Sequence, residues 1–253
     1  MKTKGRQFEP ISPFAKYVTS FDVQAGAMPK CPFGNPHTRT TPYIYTELET
    51  KQLMDECKNL YSPDGLRKLT MKTAIGLLWA TGLRTSELIN LKIKDVDFKT
   101  NVLYIWNSKF KKDRIVPFSN SVRIELMKYR LEIDNRLGTR NDDKSFFVNT
   151  GKRPLDIRAF DYAFIKIRDS IKANPIGYPA VRLMDFRHTF ACRTILNWLK
   201  NGVDANSKLT ILSTFLGHVK PQDTYWYLSA TPEILNAVCT RYEKKFGGSY
   251  YEN

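Results

Sequence analysis

Arg84 lies in Ala80-Thr-Gly-Leu-Arg-Thr-Ser-Glu-Leu88, a stretch that reads as one helix ending, a glycine stop and a second helix beginning. Gly82 can take the left-handed conformation that closes a helix. Thr85 or Ser86 can cap the next one, and Glu87 falls in its first turn, where a carboxylate suits the helix dipole. An arginine on so short an elbow is a cation held in one place. Further along, Asn107-Ser-Lys-Phe-Lys-Lys-Asp-Arg114 places Lys109, Lys111, Lys112 and Arg114 at a turn between strands. Such a turn is a solvated charged tip or a phosphate contact, and a lysine ammonium there can protonate a leaving alkoxide. Arg187 follows in Arg182-Leu-Met-Asp-Phe-Arg-His-Thr-Phe190, one turn into a helix that Asp185 is expected to cap. A cation near the positive end of a helix is costly without an anion beside it, which favours an anion-binding role. Leu216-Gly-His218 puts a histidine just past a helix end, where packing or capping is the common role. Nine residues on stands Tyr227, in a cluster with Tyr225 and Trp226 that by default is core or interface packing.

These residues sit in a chain of 253, enough for one large domain or two smaller ones. A 42% hydrophobic and 13% aromatic content fits a folded protein. Forty Lys+Arg against 25 Asp+Glu give a net charge of +15, which points to a polyanion, either nucleic acid or an anionic membrane surface. No apolar run approaches the ~18 residues of a membrane span. No secretory signal stands at Met-Lys-Thr-Lys-Gly5. Nucleic acid is therefore favoured over a membrane. Cys31, Cys57, Cys192 and Cys239 have no C-x-x-C spacing, which argues against a zinc cluster or a disulfide framework and for free thiols in a reducing cytosol. His37, His188 and His218 are too dispersed to suggest a metal site.

The elements that must position the candidates follow from periodicity. Residues 1–42 form an N-terminal segment with a short helix near Ile11 to Val23 and a proline-rich linker after it. The ordered part runs over 43–253. Thr46-Glu-Leu-Glu49 matches a capping box, and Leu48, Leu53, Met54, Cys57 and Leu60 give its helix an apolar face. After the Ser62-Pro-Asp-Gly65 turn, Leu66 to Thr81 reads as a buried helix. Val96 to Phe98, Val102 to Trp106 and Arg114 to Phe118 read as strands of a small antiparallel sheet. Ser119 opens a helix to about Leu137, and Phe146 to Val148 is an isolated extended piece. Helices are expected at Asp156 to Lys172, Asp185 to Lys200, Ser207 to Leu216, Asp223 to Leu228 and from Thr231 to Phe246. The fold class is mainly α with a small antiparallel β-sheet (α+β).

Taken together, the motifs resemble the tyrosine recombinases, also called the phage integrase family, over about Tyr43 to Phe246. Thr81-Gly-Leu-Arg-Thr-Ser-Glu-Leu88 is similar to that family's first arginine box. Ser108-Lys-Phe-Lys-Lys-Asp-Arg-Ile-Val-Pro117 is similar to its β-hairpin motif, Asp185-Phe-Arg-His-Thr-Phe190 to its second arginine box and Leu216-Gly-His218 to the next. The run from Asp223 to Glu233 looks like a subgroup found with transposons and other mobile elements. The resemblance implies a tyrosine recombinase catalytic domain with Tyr227, rather than Tyr225, as nucleophile. It assigns Arg84, Lys109, Arg187 and His218 as the groups on the phosphate, and Glu87 and His188 as supporting residues. Lys111, Lys112 and Arg114 would touch DNA.

Two departures stand out. Met184 occupies the place of the histidine that the second box usually carries, and His188, ~100° around a helix from Arg187, is not an obvious substitute. The segment before Thr41 is shorter than the family's DNA-clamping domain, as in a shortened member or one that leans on a partner protein. The implied reaction is cleavage and rejoining of double-stranded DNA through a 3′-phosphotyrosine link, with neither metal nor other cofactor. The implied setting is a cytoplasmic, nucleoid-associated protein of a bacterium or mobile element. It would assemble as a tetrameric synapse on DNA, with companion recombinases as further partners. The alternative is a catalytically weakened relative that binds DNA as an accessory or regulatory subunit.

Overall fold

The computed structural model describes residues 9–22, 24, 42–107, 112–172, 180–229 and 231–246. The chain divides into two compact units, Met1–Thr41 and Pro42–Asn253. In the first, helix α1 (Ile11–Phe21) follows Pro10 at its N-cap and leaves Ile11, Phe14, Tyr17 and Phe21 exposed. The helix stops at Phe21; Val23, where the sequence reading ended it, lies outside the described residues.

The second unit opens with α2 (Glu47–Glu56), whose capping box forms as its sequence requires: Glu49 N–H donates to Thr46 Oγ1 at 3.1 Å, and Thr46 N–H to the Glu49 carboxylate at 2.8 Å. Leu53, Cys57 and Leu60 are buried, but Leu48 is exposed and does not belong to the apolar face assigned to it. At ~100° per residue it lies on the side of the helix opposite Leu53 and Cys57. α3 (Leu66–Thr81) runs through the centre of the larger core and ends at Gly82, whose φ of +61° closes the helix onto Leu78 O. α4 (Thr85–Ile89) follows at once. Strands β1 (Val96–Asp97), β2 (Val102–Ile105) and β3 (Arg114–Pro117) make an antiparallel sheet in that order, with Val102 opposite Pro117 and Ile105 opposite Arg114. The expected class, mainly helical with one small antiparallel sheet, is the one observed.

Ser119 and Asp156, expected as the first residues of their helices, are instead the N-caps of α5 (Asn120–Leu137) and α6 (Ile157–Arg168). The extended piece at 146–148 is stitched to this core: buried Tyr129 Oη accepts Val148 N–H at 3.1 Å and shares a hydrogen bond with Thr70 Oγ1 at 2.9 Å. α7 (Asp185–Lys200), α8 (Ala205–Leu216), α9 (Gln222–Tyr225) and α10 (Pro232–Phe246) complete the unit. α8 begins two residues before Ser207, because the Asp204 side chain accepts Asn206 N–H and caps it. α9 becomes a tighter 3₁₀ turn over Trp226–Ser229. Thr231 caps α10, its hydroxyl accepting Ile234 N–H at 3.3 Å.

Two apolar clusters result. The larger gathers α2 to α6, the sheet and Phe186; the smaller joins α7, α8 and α10 through Ala191, Cys192, Ile195, Leu209, Leu212, Leu216 and Ile234, with Tyr227 among them. α7 therefore belongs to both clusters, and Arg187 lies between them. Among the described residues no helix is long and apolar enough to cross a membrane. Cys57, Cys192 and Cys239 are free thiols.

Gly82 serves two needs, since a Cβ there would sit 2.7 Å from the Phe190 ring besides suffering a positive φ. Gly82→Ala is expected to lower stability by more than the roughly 1–2 kcal/mol of a left-handed residue alone, measured as a fall in the urea midpoint at unchanged slope.

Candidate active site

The site is organised by the C-terminus of α8. The last carbonyls of a helix lack intrahelical partners and carry the negative end of its dipole. Gly217 takes φ +68°, and His218 N–H turns back to Ser213 O at 3.0 Å, so the chain leaves abruptly and the final carbonyls point outward. Three guanidinium groups take three successive carbonyls there. Arg114 Nε donates to Phe215 O at 2.8 Å, Arg187 donates to Leu216 O, and Arg84 donates to Gly217 O at 2.8 Å. Arg187 also donates to Gly82 O at 3.0 Å, which ties the elbow before α4 to α8. A Cβ on Gly217 would meet Arg114 at 3.1 Å, so this glycine allows both the turn and the close approach.

Three cations so close need an anion, and Glu87 is that anion. Its carboxylate accepts Arg84 at 2.6 Å and Arg114 at 2.8 and 2.7 Å, and also the Arg84 backbone N–H at 2.9 Å. Burial alone would raise its pKa, but the Arg114 guanidinium first, then the N–H and charge of Arg84, hold it at about 2. The last contact corrects the expected cap. Arg84, not Thr85 or Ser86, is the N-cap residue of α4, and Glu87, three residues on, accepts its N–H. Likewise Asp185 does not cap α7: Met184 holds the N-cap place, and buried Asp185 instead accepts the backbone N–H of Arg182 at 2.8 Å.

Arg187 is 3% exposed, and burial followed by the charge of Arg84 lowers its pKa to about 9, so it remains a cation at neutral pH. Carbonyl oxygens supply the negative partner that the helix-dipole argument demanded. His218 Nδ1 shares a hydrogen bond with buried Thr224 Oγ1 at 2.7 Å. Burial, then the charges of Arg187 and Arg84, lower its pKa to about 4, which keeps it neutral. Tyr227 is 2% exposed, covered by its neighbours rather than open to solvent. It is nonetheless turned towards the other groups. Its ring lies nearly parallel to His218 with centroids 6.3 Å apart, and its hydroxyl is 3.0 Å from His188 Nδ1. Tyr225, the other phenol of the cluster, is exposed.

Arg84, Glu87, Arg187, His188, His218 and Tyr227 are thus brought together from four separated stretches. Arg114 does not have the DNA-facing position that the basic turn suggested; all three of its nitrogens are spent on Phe215 and Glu87. Strand alternation carried that signal, because Arg114 shares a face with buried Val116. Lys112 is exposed, whereas Lys109 and Lys111 lie outside the described residues. Met184 is exposed at 41% and, being a thioether, brings no strong hydrogen-bonding group to the cluster.

Comparison with known proteins agrees with the motifs. A profile described as the phage integrase family matches residues 44–233. The Sinorhizobium fredii protein y4rE, whose name describes an integrase/recombinase, is 31% identical over 90% of this chain and 73% of its own length. The crystal structure of XerA recombinase superposes with a TM-score of 0.59 at 25% identity, over 82% of this chain and 66% of that one. The Tn1549 transposon integrase in complex with transposon right-end DNA gives 0.58 at 18% identity, over 90% and 76%.

Removing the Glu87 charge leaves Arg84 and Arg114 buried without their anion, so Glu87→Gln is expected to cost about 3 kcal/mol. The group's folded pKa is depressed from 4.5 to about 2, so its contribution is whole above pH 4.5 and disappears as the pH falls through about 2. Unfolding of the wild type and of Glu87→Gln, followed from pH 6 downward, should give stabilities that converge across that window.

Proposed function

Because the chain belongs to the phage integrase family, the site-specific tyrosine recombinases, we propose that Tyr227 is the nucleophile by which it cuts and rejoins DNA. The observation that supports this assignment is that Arg84 and Arg187 both reach the carbonyls that end α8, next to His218, and that the Tyr227 ring lies beside His218. Double-stranded DNA as the substrate is supported by the net charge of +15 and by the likeness to an integrase held on transposon-end DNA.

The phenol oxygen attacks the phosphorus in line, the bond to the 5′ oxygen breaks, and the strand is left joined to Tyr227 through its 3′ phosphate. Arg84 and Arg187 keep part of their donor capacity for the non-bridging oxygens, where charge-assisted hydrogen bonds stabilise the pentavalent transition state. Thr224 can donate to His218 Nδ1, which leaves the opposite nitrogen protonated and able to donate to the phosphate. Lys109, assigned from the resemblance alone, protonates the leaving oxygen. Glu87 is a positioning residue: already accepting from two guanidinium groups, it holds them without exchanging protons. The phosphotyrosine link stores the energy of the broken ester, so rejoining consumes no nucleotide.

The finer assignments are part of this proposal. Lys112, exposed beside the hairpin, contacts the DNA backbone together with Lys111, and several protomers pair two sites in a synapse, as a tetramer and with companion recombinases. A cytoplasmic, nucleoid-bound protein of a mobile element suits that task.

A nicked duplex carrying the ends of the host element would trap the intermediate, because the short fragment that bears the released 5′ hydroxyl diffuses away. The wild type is expected to accumulate a covalent adduct and Tyr227→Phe none, while Arg84→Ala and Arg187→Lys slow its formation by about 10²–10³-fold. Tight binding with no adduct from the wild type would instead support an accessory DNA-binding role.

A further inference from the structure

We propose that His188 accepts the Tyr227 proton as the phenol attacks and returns it when the strand is rejoined. The inference rests on Tyr227 being the nucleophile, and deepens that reading by giving its proton a destination. A phenol with a pKa near ~10 is almost wholly protonated at neutral pH, so an acceptor must stand within hydrogen-bond reach. His188 Nδ1 is 3.0 Å from the Tyr227 hydroxyl. Its ring is set 5.7 Å from the phenol ring at 52°, and the Trp226 indole packs against it at 5.9 Å and 72°. Helix geometry supplies the division of labour. Consecutive residues of α7 point ~100° apart, so Arg187 turns to the carbonyls that end α8 while His188 turns to Tyr227.

The other candidates are engaged. Glu87 accepts from Arg84 and Arg114 and is held at about 2. His218 has its Nδ1 on Thr224, and with Thr224 donating there its other nitrogen carries a proton and serves the phosphate as a donor. Met184 brings no proton acceptor to the start of α7.

The step balances within these groups. With the phenol donating to Nδ1, neutral His188 carries its own proton on Nε2. As the bond from the phenol oxygen to phosphorus forms and the bond to the 5′ oxygen breaks, the phenol proton passes to Nδ1. The leaving oxygen takes a proton from the lysine assigned above, and rejoining reverses each transfer. The buried Arg187 cation offsets the negative charge on the phenol oxygen during the transfer.

Single-turnover cleavage of the nicked duplex tests the assignment. His188→Gln and His188→Asn are expected to cleave about 10²-fold more slowly, with DNA affinity and melting temperature unchanged. Placing a fluorinated, more acidic tyrosine at 227 should recover much of that loss, because such a phenol needs less help to ionise. Wild-type rates in both variants, or a deficit untouched by the acidic phenol, would overturn the role of His188 and leave the cleavage reading standing. An adduct that survives in Tyr227→Phe would overturn the cleavage reading itself. A measurement on the unaltered chain guards against folding defects: ¹⁵N shifts of the His188 imidazole should report the Nε2–H tautomer, and the Nδ1–H tautomer would contradict the proposal.

Discussion

The negative end of α8 is the constraint from which the rest of the site follows. Helix termini usually meet their unsatisfied carbonyls with water or a capping residue; here Phe215, Leu216 and Gly217 are met by three arginines from β3, α7 and the N-cap of α4. Each arginine alone would pay for leaving water. Bound to fixed carbonyl dipoles and balanced by Glu87, they are held as a block. That arrangement suits a reaction in which charge builds on a phosphate, because donors already in place need no reorganisation as the charge appears.

Packing makes the block rigid. α7 contributes Phe186 to the larger apolar cluster and Ala191, Cys192 and Ile195 to the smaller one, so Arg187 cannot move without disturbing both. Gly82 lets the chain turn against Phe190 and brings its own carbonyl to Arg187. Tyr227 belongs to the smaller cluster, so the proposed nucleophile is a packed core residue. A phenol packed in this way, 2% exposed, has little freedom of its own left to lose.

Much of this was legible in the residues. The glycine stop before Arg84, the capping box at Thr46 and the helix starts at Ser119, Asp156 and Thr231 are local signals, set by backbone chemistry a few residues long, and each helix they bound is present. The cap of α4 misled, because serine and threonine compete for that role on propensity while the actual selection was made by Glu87 reaching back from α4. Arg114 misled for a related reason. Charge density suggested a solvent-facing turn, yet strand alternation turned it inward to an anion from another element. The contact between His188 and Tyr227 joins residues 39 apart, and no local pattern encodes it. Position around α7 showed only that His188 faces away from Arg187, not what it faces.

On the proposed function, two guanidinium groups, an imidazole and the Tyr227 phenol enclose one phosphate. A crystal structure of the protein on nicked DNA with vanadate in place of the cleaved phosphate tests it most directly. The expected complex holds a five-coordinate vanadate with Tyr227 Oη and the 5′ oxygen at its two apices and donors from Arg84, Arg187 and His218 on its equatorial oxygens. Vanadate seated away from Tyr227, or touched by only one of the two arginines, would contradict it.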